Sequence, residues 1–407
     1  MQHIAEAYVR LTLAIGKHDP DYVDAYYGPP DWTAEADAAT VPLREIERRA
    51  SALLAEVDDG LPSETTDTPS LDQLRHSYLR KQLGAMVARV RMLQGVTLSF
   101  DDEAGALYDA TPPVVPEEQF HAVLARLDRV LPGAGPIPGR YVDYRSRFIV
   151  PPERLARVFE AAIAAGRTRT SQHVALPPDE SFVVEYVTDK PWSGYNWYKG
   201  GYHSVIQVNT SLPIYIDRAV DLACHEGYPG HHVYNALLER HLVRERGWPE
   251  FSIYALFSPQ SLIAEGTANY GIDMVFPAID RVAFERATLF PLAGLPPDEA
   301  DDYYRVQDLV HELSYAGNEA ARHYLNGEID ADAACDWLER YALMTPAAAR
   351  QRVRFFDRYR SYVINYNVGQ DLVKAHVVRH AGPNASAADR WRVFSALLSS
   401  PRVPSDL

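Results

Sequence analysis

The nine-residue run CHEGYPGHH, residues 224–232, constrains the fold more than any other segment of the chain. An ideal helix advances about 1.5 Å and 100° per residue, so His231 would lie about 9 Å beyond His225 and point in another direction. Pro229 removes a helical hydrogen bond, and Gly230 tolerates unusual backbone dihedral angles. The sequence therefore predicts a helix that is broken or bulged between the two histidines.

The same run predicts a metal site. In the motif HExxH, two imidazoles one helical turn apart bind zinc, and the glutamate beside the first reaches the water at the metal. Here the fourth residue after His225 is Pro229, which has no ligand atom. A π-type bulge would bring His231 to the position of the second ligand. His232 is the alternative, but it needs the larger distortion; the histidine that does not bind is expected to lie next to the site or in the core.

A third ligand is predicted in the segment LIAEGTANY, residues 262–270. Glu265 lies in an otherwise apolar stretch, where a buried carboxylate needs a partner. That partner is either a metal ion or an arginine. Two His and one Glu leave an open position for water, so we expect one Zn²⁺ per chain on His225, His231 and Glu265. Mn, Co and Fe also accept these ligands.

Most of the remaining chain has helical periodicity. Ser70 and Gln73 form a capping-box pattern that opens a long helix towards Leu93, and Pro151–Pro152 open another that we expect to end at Gly166. Two segments rich in β-branched and aromatic residues predict strands, 181–187 and 202–209, separated by a Gly/Trp/Tyr loop at 191–201. The predicted fold class is mainly α: a large multi-helix metallopeptidase-like fold with a small β-sheet beside the zinc-binding helix.

The length of 407 residues fits one large domain or two packed ones. We expect an N-terminal helical region, 1–179, that forms part of the cleft and a catalytic region, 180–407, within one compact unit. With 40 Lys+Arg against 55 Asp+Glu, the net charge of −15 argues against nucleic-acid and membrane partners. Two cysteines and no long apolar run predict a cytoplasmic protein. The oligomeric state is not indicated.

The motifs together resemble a known group of proteins. HEGYPGHH followed by AEGTA resembles a bacterial gluzincin-like family of unknown function with the signature HExxPGHH, which is distantly similar to carboxypeptidase Taq-type zinc metallopeptidases. QVNTSLP before the motif, RVQDLVH at 305–311 and YNVG at 366–369 are similar to further motifs of that family. The resemblance covers residues 202–370 and implies a zinc-dependent, mostly helical peptidase-like fold. Thr267 stands where Trp is commoner, which puts the substrate specificity in question.

These residues predict a hydrolytic mechanism. Glu226 is the expected general base, which activates water at the metal and later protonates the leaving amine. The resemblance makes His311 and Tyr366 candidates to polarise the carbonyl or stabilise the oxyanion; each could equally be an ordinary side chain with one hydrogen bond. The predicted activity is peptide-bond hydrolysis, with carboxypeptidase action as one form of it. The alternatives are a non-catalytic scaffold of the same fold and a metal-dependent hydrolase of a small amide or ester.

Three further segments could contact a peptide substrate. Strand 202–209 could pair with it as an exposed edge or be an ordinary packed strand. The aromatic residues at 195–198 could line a pocket or close the edge of the core. The arginines of RVRFFDRYR could bind a terminal carboxylate or form a solvated helix face; they are Arg352, Arg354, Arg358 and Arg360.

Overall fold

The computed structural model describes residues 1–60, 69–190 and 192–407. The described chain is mainly helical with two small sheets, which confirms the predicted fold class. Its helices are α1 (Gln2–Ile15), α2 (Pro30–Ala38), α3 (Leu43–Asp59), α4 (Leu71–Leu93), α5 (Phe100–Tyr108), α6 (Glu117–Val130), α7 (Ile137–Ser146), α8 (Pro152–Ser171), α9 (Asp217–Leu222), α10 (His231–Leu238), α11 (Pro259–Val275), α12 (Ala278–Phe284), α13 (Phe290–Ala293), α14 (Ala300–His311), α15 (Ala316–Leu325), α16 (Ala331–Tyr341), α17 (Pro346–Tyr359), α18 (Ile364–Ala381) and α19 (Ala387–Leu398).

Of the two predicted helix boundaries, the start at Ser70 is confirmed and the end at Gly166 is not. Ser70 caps α4 with the predicted box: its hydroxyl accepts the Gln73 N–H at 3.3 Å, and its N–H donates to Gln73 Oε1 at 2.7 Å. The end predicted at Gly166 is wrong, because α8 continues to Ser171. A Cβ on Gly166 would lie only 3.2 Å from the Tyr228 carbonyl oxygen. This glycine therefore permits close packing on the motif segment and does not end the helix.

The larger sheet has the strand order β2 (Ser181–Val187), β4 (His203–Asn209), β3 (Gly194–Gly200). β2 is parallel to β4 and β3 is antiparallel to it. Both predicted strands are confirmed, but most of the predicted loop forms β3; Pro191 lies outside the described residues. The prediction that 202–209 could be an exposed edge is wrong, because β4 is hydrogen-bonded on both sides. The edges of this sheet are β2 and β3.

A second sheet joins distant parts of the chain. β1 (Val23–Tyr26) pairs antiparallel with β5 (Ile253–Ala255), and the Leu256 N–H donates to the Tyr22 carbonyl at 2.8 Å. The N-terminal region thus packs directly on the segment that leads into α11. The division at residue 179 stays a prediction. Among the described residues, no helix combines the length and apolar character that a membrane crossing requires.

Helices α11 and α18 cross at very short range. A Cβ on Gly266 would lie 2.4 Å from the backbone of Gly369, and a Cβ on Gly369 would lie 2.7 Å from the Leu262 carbonyl oxygen. Glycine at both positions allows the two backbones to touch, as small residues do at close helix crossings. This crossing places Glu265 on α11 beside the start of α18, where Tyr366 lies.

Candidate metal centre

The break predicted in the motif helix is present. α9 passes into a π-helical turn at Ala223–Gly227, the backbone leaves helical geometry at Tyr228–Gly230, and α10 starts at His231. The Gly230 N–H donates to the Cys224 carbonyl at 2.9 Å. A Cβ on Gly230 would lie 1.8 Å from the His225 carbonyl oxygen, so only glycine fits this position.

The break brings three donor atoms together. The Nε2 atoms of His225 and His231 lie 3.1 Å apart. Glu265 Oε2 lies 3.2 Å from the first of these nitrogens and 3.7 Å from the second. All three side chains are largely buried. The residues predicted as ligands are therefore neighbours, although they come from three different elements.

The donor set fits a divalent metal ion. Donors about 2.0–2.1 Å from a tetrahedral zinc ion are separated by about 3.3 Å, and the three observed separations bracket this value. Glu265 Oε2 is buried and forms no hydrogen bond within the described residues, despite its closeness to both imidazoles. Such an orphaned oxygen needs a partner, and a cation among the three atoms would provide it.

Two side chains orient the predicted ligands. His225 Nδ1 lies 2.9 Å from Asn269 Oδ1, so it can donate there and leave Nε2 free as a ligand. The Tyr362 hydroxyl donates to Glu265 Oε1 at 2.7 Å. We did not identify either residue from the sequence. Asn269 is four residues after Glu265, on the same helical face, so this spacing could have indicated it.

Glu226 lies next to these donors. One of its carboxylate oxygens and the imidazole nitrogens of His225 and His231 lie within 4.8 Å of one another. Burial raises the pKa of Glu226, Glu265 raises it further, and the two histidines oppose the shift. A carboxylate with a raised pKa beside a candidate metal centre can accept a proton from water at neutral pH. The position is thus suited to the predicted general base.

Asp24 on β1 is an acidic residue of the site that we did not identify from the sequence. Burial raises its pKa to about 6, against the Tyr195 hydroxyl that donates to it and the charge of His231. Burial disfavours the charged imidazole of His231, but Glu265, Glu226 and Asp24 outweigh this and raise its pKa to about 9. In the sequence, Asp24 could have been noticed as the one carboxylate in an otherwise apolar and aromatic strand.

Tyr366 is at the site, as predicted, and its hydroxyl has no hydrogen bond within the described residues. Burial raises its pKa well above the ordinary value, as do the charges of Glu265 and Glu226, so it keeps its proton. Its carbonyl accepts the Asn269 side-chain N–H at 2.8 Å, which fixes the start of α18 against α11. The hydroxyl is available to donate to a ligand.

His311 is placed elsewhere. It is the exposed last residue of α14, which packs chiefly on α6 and α12. Burial raises the pKa of Asp273 on α11, and His311 is among the groups that oppose this; Asp273 lies eight residues, or about two helical turns, after Glu265. Within the described residues no hydrogen bond or ion pair joins His311 to the donor atoms, so its catalytic role stays a prediction.

His232 belongs to a buried network on the other side of the break. Its Nδ1 lies 2.8 Å from Ser204 Oγ on β4, and its Nε2 lies 2.9 Å from Glu180 Oε2. The Tyr228 hydroxyl donates to the same Glu180 oxygen at 2.6 Å, and Arg167 donates to the other. These contacts tie the segment Tyr228–His232 to the sheet and to α8.

The edge strand β3 runs beside Glu226. The Asn196 side-chain N–H donates to the Glu226 carbonyl at 2.7 Å. A Cβ on Gly194 would lie 2.7 Å from Glu226 Oε1. In the described sheet β3 has β4 as its only hydrogen-bonded neighbour. The strand that could align an extended peptide with the site is therefore β3 and not β4.

The similarity of this chain to known proteins is one of fold. No protein-family model matches the chain, and no curated protein gives a significant sequence match. A solved structure described as a putative lipoprotein from Colwellia psychrerythraea covers 90% of this chain and 71% of that one, with a TM-score of 0.50 and 14% identity.

Two further solved structures are more weakly similar. One, described in the same way and of unknown function, is from Shewanella oneidensis (91% and 74% coverage, TM-score 0.48, 14% identity). The other is the M32 carboxypeptidase from Deinococcus radiodurans R1 (98% and 88% coverage, TM-score 0.38, 15% identity). The resemblance to the HExxPGHH family stays a prediction. The chain shares its mainly helical fold with the Colwellia protein.

Proposed function

We propose that the chain is a zinc-dependent hydrolase that cleaves peptide bonds. The observation that carries the proposal is the triangle of His225 Nε2, His231 Nε2 and Glu265 Oε2, with a buried carboxylate oxygen that has no other partner. Zinc held there would polarise the substrate carbonyl and lower the pKa of water.

The protein's own residues would supply the proton transfers. Glu226 takes the proton from the attacking water at its carboxylate and later delivers it to the leaving nitrogen. Burial and the neighbouring Glu265 raise the pKa of Glu226, which helps it to hold the proton between these two steps. The Tyr366 hydroxyl, which keeps its proton, donates to the oxygen of the scissile carbonyl as negative charge develops there.

Other residues would position the reacting groups. Asn269 orients His225, and Tyr362 holds the second oxygen of Glu265. β3 offers backbone groups beside Glu226, which suits an extended peptide better than a compact small molecule. This favours a peptide substrate over the small amide or ester that shares the same site chemistry.

The proposal is tested by metal analysis and by peptide-library hydrolysis with wild type, Glu226→Gln and the exposed control Glu160→Gln. We expect about one zinc per chain in all three, and turnover that falls about 10³-fold only in Glu226→Gln. Absence of zinc, or equal turnover in Glu226→Gln and wild type, would overturn the proposal. Bound zinc without turnover of any peptide would instead leave the non-catalytic scaffold and the hydrolase of a small amide or ester.

A further inference from the structure

Two aspartates three residues apart, Asp21 and Asp24, have different surroundings. Asp21 pairs with Arg358 at 2.6 Å. Asp24 is partly buried, and within residues 1–60, 69–190 and 192–407 it forms no ion pair; its carboxylate accepts a hydrogen bond from the Tyr195 hydroxyl. Because removing a carboxylate from water is costly without a compensating positive charge, Asp24 is a candidate to bind a cation.

Asp24 lies in a β-bulge. In the pairing of β1 with β5 the register shifts between Val23 and Ala25, so Asp24 is an extra residue without a partner on the opposite strand. Bulges re-aim a side chain and are common next to active sites. The charges of His231 and Glu265 both act on the Asp24 carboxylate, which therefore lies close to the candidate metal centre.

A second polar group in this region is without a partner. Tyr254 on β5 is 7% exposed, and within the part of the chain that the structure describes its hydroxyl forms no hydrogen bond. The hydroxyl of Ser261 on α11 donates to the Leu256 carbonyl. The charges of Asp24 and Glu265 act on Tyr254, so its hydroxyl faces the same region. A buried oxygen of this kind indicates that a hydrogen-bond partner is missing.

The surroundings of Asp24 fit an ammonium group better than a second metal ion. Asp24 belongs to no group of three or more described side chains that could hold a metal ion. An ammonium group has three N–H donors and carries the positive charge that Asp24 lacks. The Asp24 carboxylate and the Tyr254 hydroxyl oxygen would accept two of these donors.

The strand β3 relates Asp24 to the path of a peptide. Tyr195, which donates to Asp24, lies on β3 between Gly194 and Asn196, and these two residues lie next to Glu226. A peptide aligned on β3 with a carbonyl near Glu226 would therefore run close to Asp24. Consecutive Cα atoms are about 3.8 Å apart, so a free α-ammonium group reaches Asp24 only when it is within a few residues of the bond to be cut.

We propose that Asp24 binds the free α-ammonium group of a peptide, with the Tyr254 hydroxyl as a second acceptor, so that the enzyme cleaves close to the amino terminus. Tyr195 is a positioning residue, because it holds the Asp24 carboxylate and does not itself touch the substrate. Acetylation of the amino terminus removes the charge and two of the three donors, so it should weaken this contact strongly. This substrate class rests on the proposed hydrolase function.

The kinetic test uses a tripeptide amide that begins with leucine, its N-acetylated form, and an N-acetylated tripeptide amide that begins with lysine. We expect wild type and Asp31→Asn, an exposed control on α2, to prefer the free amine by about 100-fold in kcat/KM, the loss typical of removing one partner of a buried charge pair. Asp24→Asn loses most of this preference through KM, and Tyr254→Phe loses about tenfold of it.

Other outcomes of the kinetic test would overturn the proposal. Equal cleavage of the free and the acetylated peptide by wild type would show that the amino terminus is not recognised. An equal decrease on both peptides in Asp24→Asn would show a structural role for this residue. Cleavage of the acetylated lysine peptide as fast as that of the free leucine peptide would assign the site to a side-chain ammonium group instead.

A binding measurement separates this proposal from the hydrolase function. Phenylalanine amide and N-acetylphenylalanine amide are titrated by calorimetry into zinc-loaded wild type, Glu226→Gln, Asp24→Asn and Asp31→Asn. We expect only Asp24→Asn to lose the preference for the free amine; a preference that survives there would place the amine elsewhere and overturn the proposal. If the expected result is obtained but no peptide is hydrolysed, the ammonium site stands and the hydrolase function fails. If peptides are hydrolysed but both compounds bind equally well to wild type, the ammonium site fails alone.

Discussion

His225 and His231 present their Nε2 atoms to each other at 3.1 Å, although six residues of ideal helix would separate the two residues by about 9 Å. The segment Tyr228–Gly230 absorbs this difference by leaving helical geometry between the π-helical turn and α10. Extra residues between two predicted ligands therefore do not separate them. The longer, broken helix brings the two nitrogens about as close together as two ligands of one zinc ion would be.

Gly230→Ala tests this break. The added Cβ would overlap the His225 carbonyl, so we expect unfolding to become easier by about 3 kcal/mol or more, together with loss of bound metal. Gly139→Ala on α7 is the control, because a Cβ there meets nothing within 4 Å. It should change stability by no more than about 1 kcal/mol. Thermal unfolding and metal analysis of both variants provide the check, and a stable, metal-binding Gly230→Ala would contradict the argument.

Substitution of His231 and substitution of His232 should have different effects on zinc affinity. We expect His231→Gln to weaken zinc binding by more than about 100-fold, beyond the effect typical of residues that only orient a ligand. His232→Gln should keep zinc affinity within about tenfold but cost about 1–3 kcal/mol of stability, because Glu180 and Ser204 lose a buried partner. Competition with a chelating dye measures the affinities. A large loss of zinc affinity in His232→Gln but not in His231→Gln would make His232 the ligand instead.

Two tyrosines four residues apart should have different kinetic effects. Tyr366→Phe removes a free hydroxyl, so we expect kcat to fall about 10²–10³-fold with little change in KM or in zinc content. Tyr362→Phe removes the donor to Glu265, so we expect mainly a loss of about tenfold in zinc affinity. Steady-state kinetics at saturating zinc distinguish them. Normal kcat in Tyr366→Phe would exclude its proposed contact with the substrate oxygen.

His376 on α18 should make stability depend on pH. Burial lowers its pKa to about 4, and the positive charges of His380, Arg402 and Arg379 add to this effect. Between pH 6.5 and pH 4 the unfolded chain binds a proton that the folded chain does not, so stability falls as pH falls, by up to about 3 kcal/mol. His376→Gln should lack this part of the decrease. Urea unfolding at several pH values measures the difference, and parallel curves would contradict the assigned shift.

Local sequence signals predicted the fold class, the α4 cap, two strands and the grouping of His225, Glu226 and His231, because each depends on residues close together in the chain. The strand β3 was missed because its glycines and the preceding proline are typical of loops, whereas here Gly194 makes room for Glu226.

Contacts between residues far apart in the chain were harder to predict from the sequence. Asp24 reaches the site only through the pairing of β1 with β5, and nothing near it in sequence indicates that neighbour. For His311 a motif-like spacing indicated a catalytic role, but spacing within one helix does not determine what the end of that helix contacts, and the role stays a prediction.

The pairing of β1 with β5 also has a consequence for biosynthesis. Val23 and Ala255 are adjacent partners in that sheet, so the surroundings of the site require a contact across more than half the chain. Closing a loop between residues so far apart in the chain costs conformational entropy that only the completed contact repays. The hydrolytic activity proposed for this site would therefore require that synthesis has passed both β5 and Glu265.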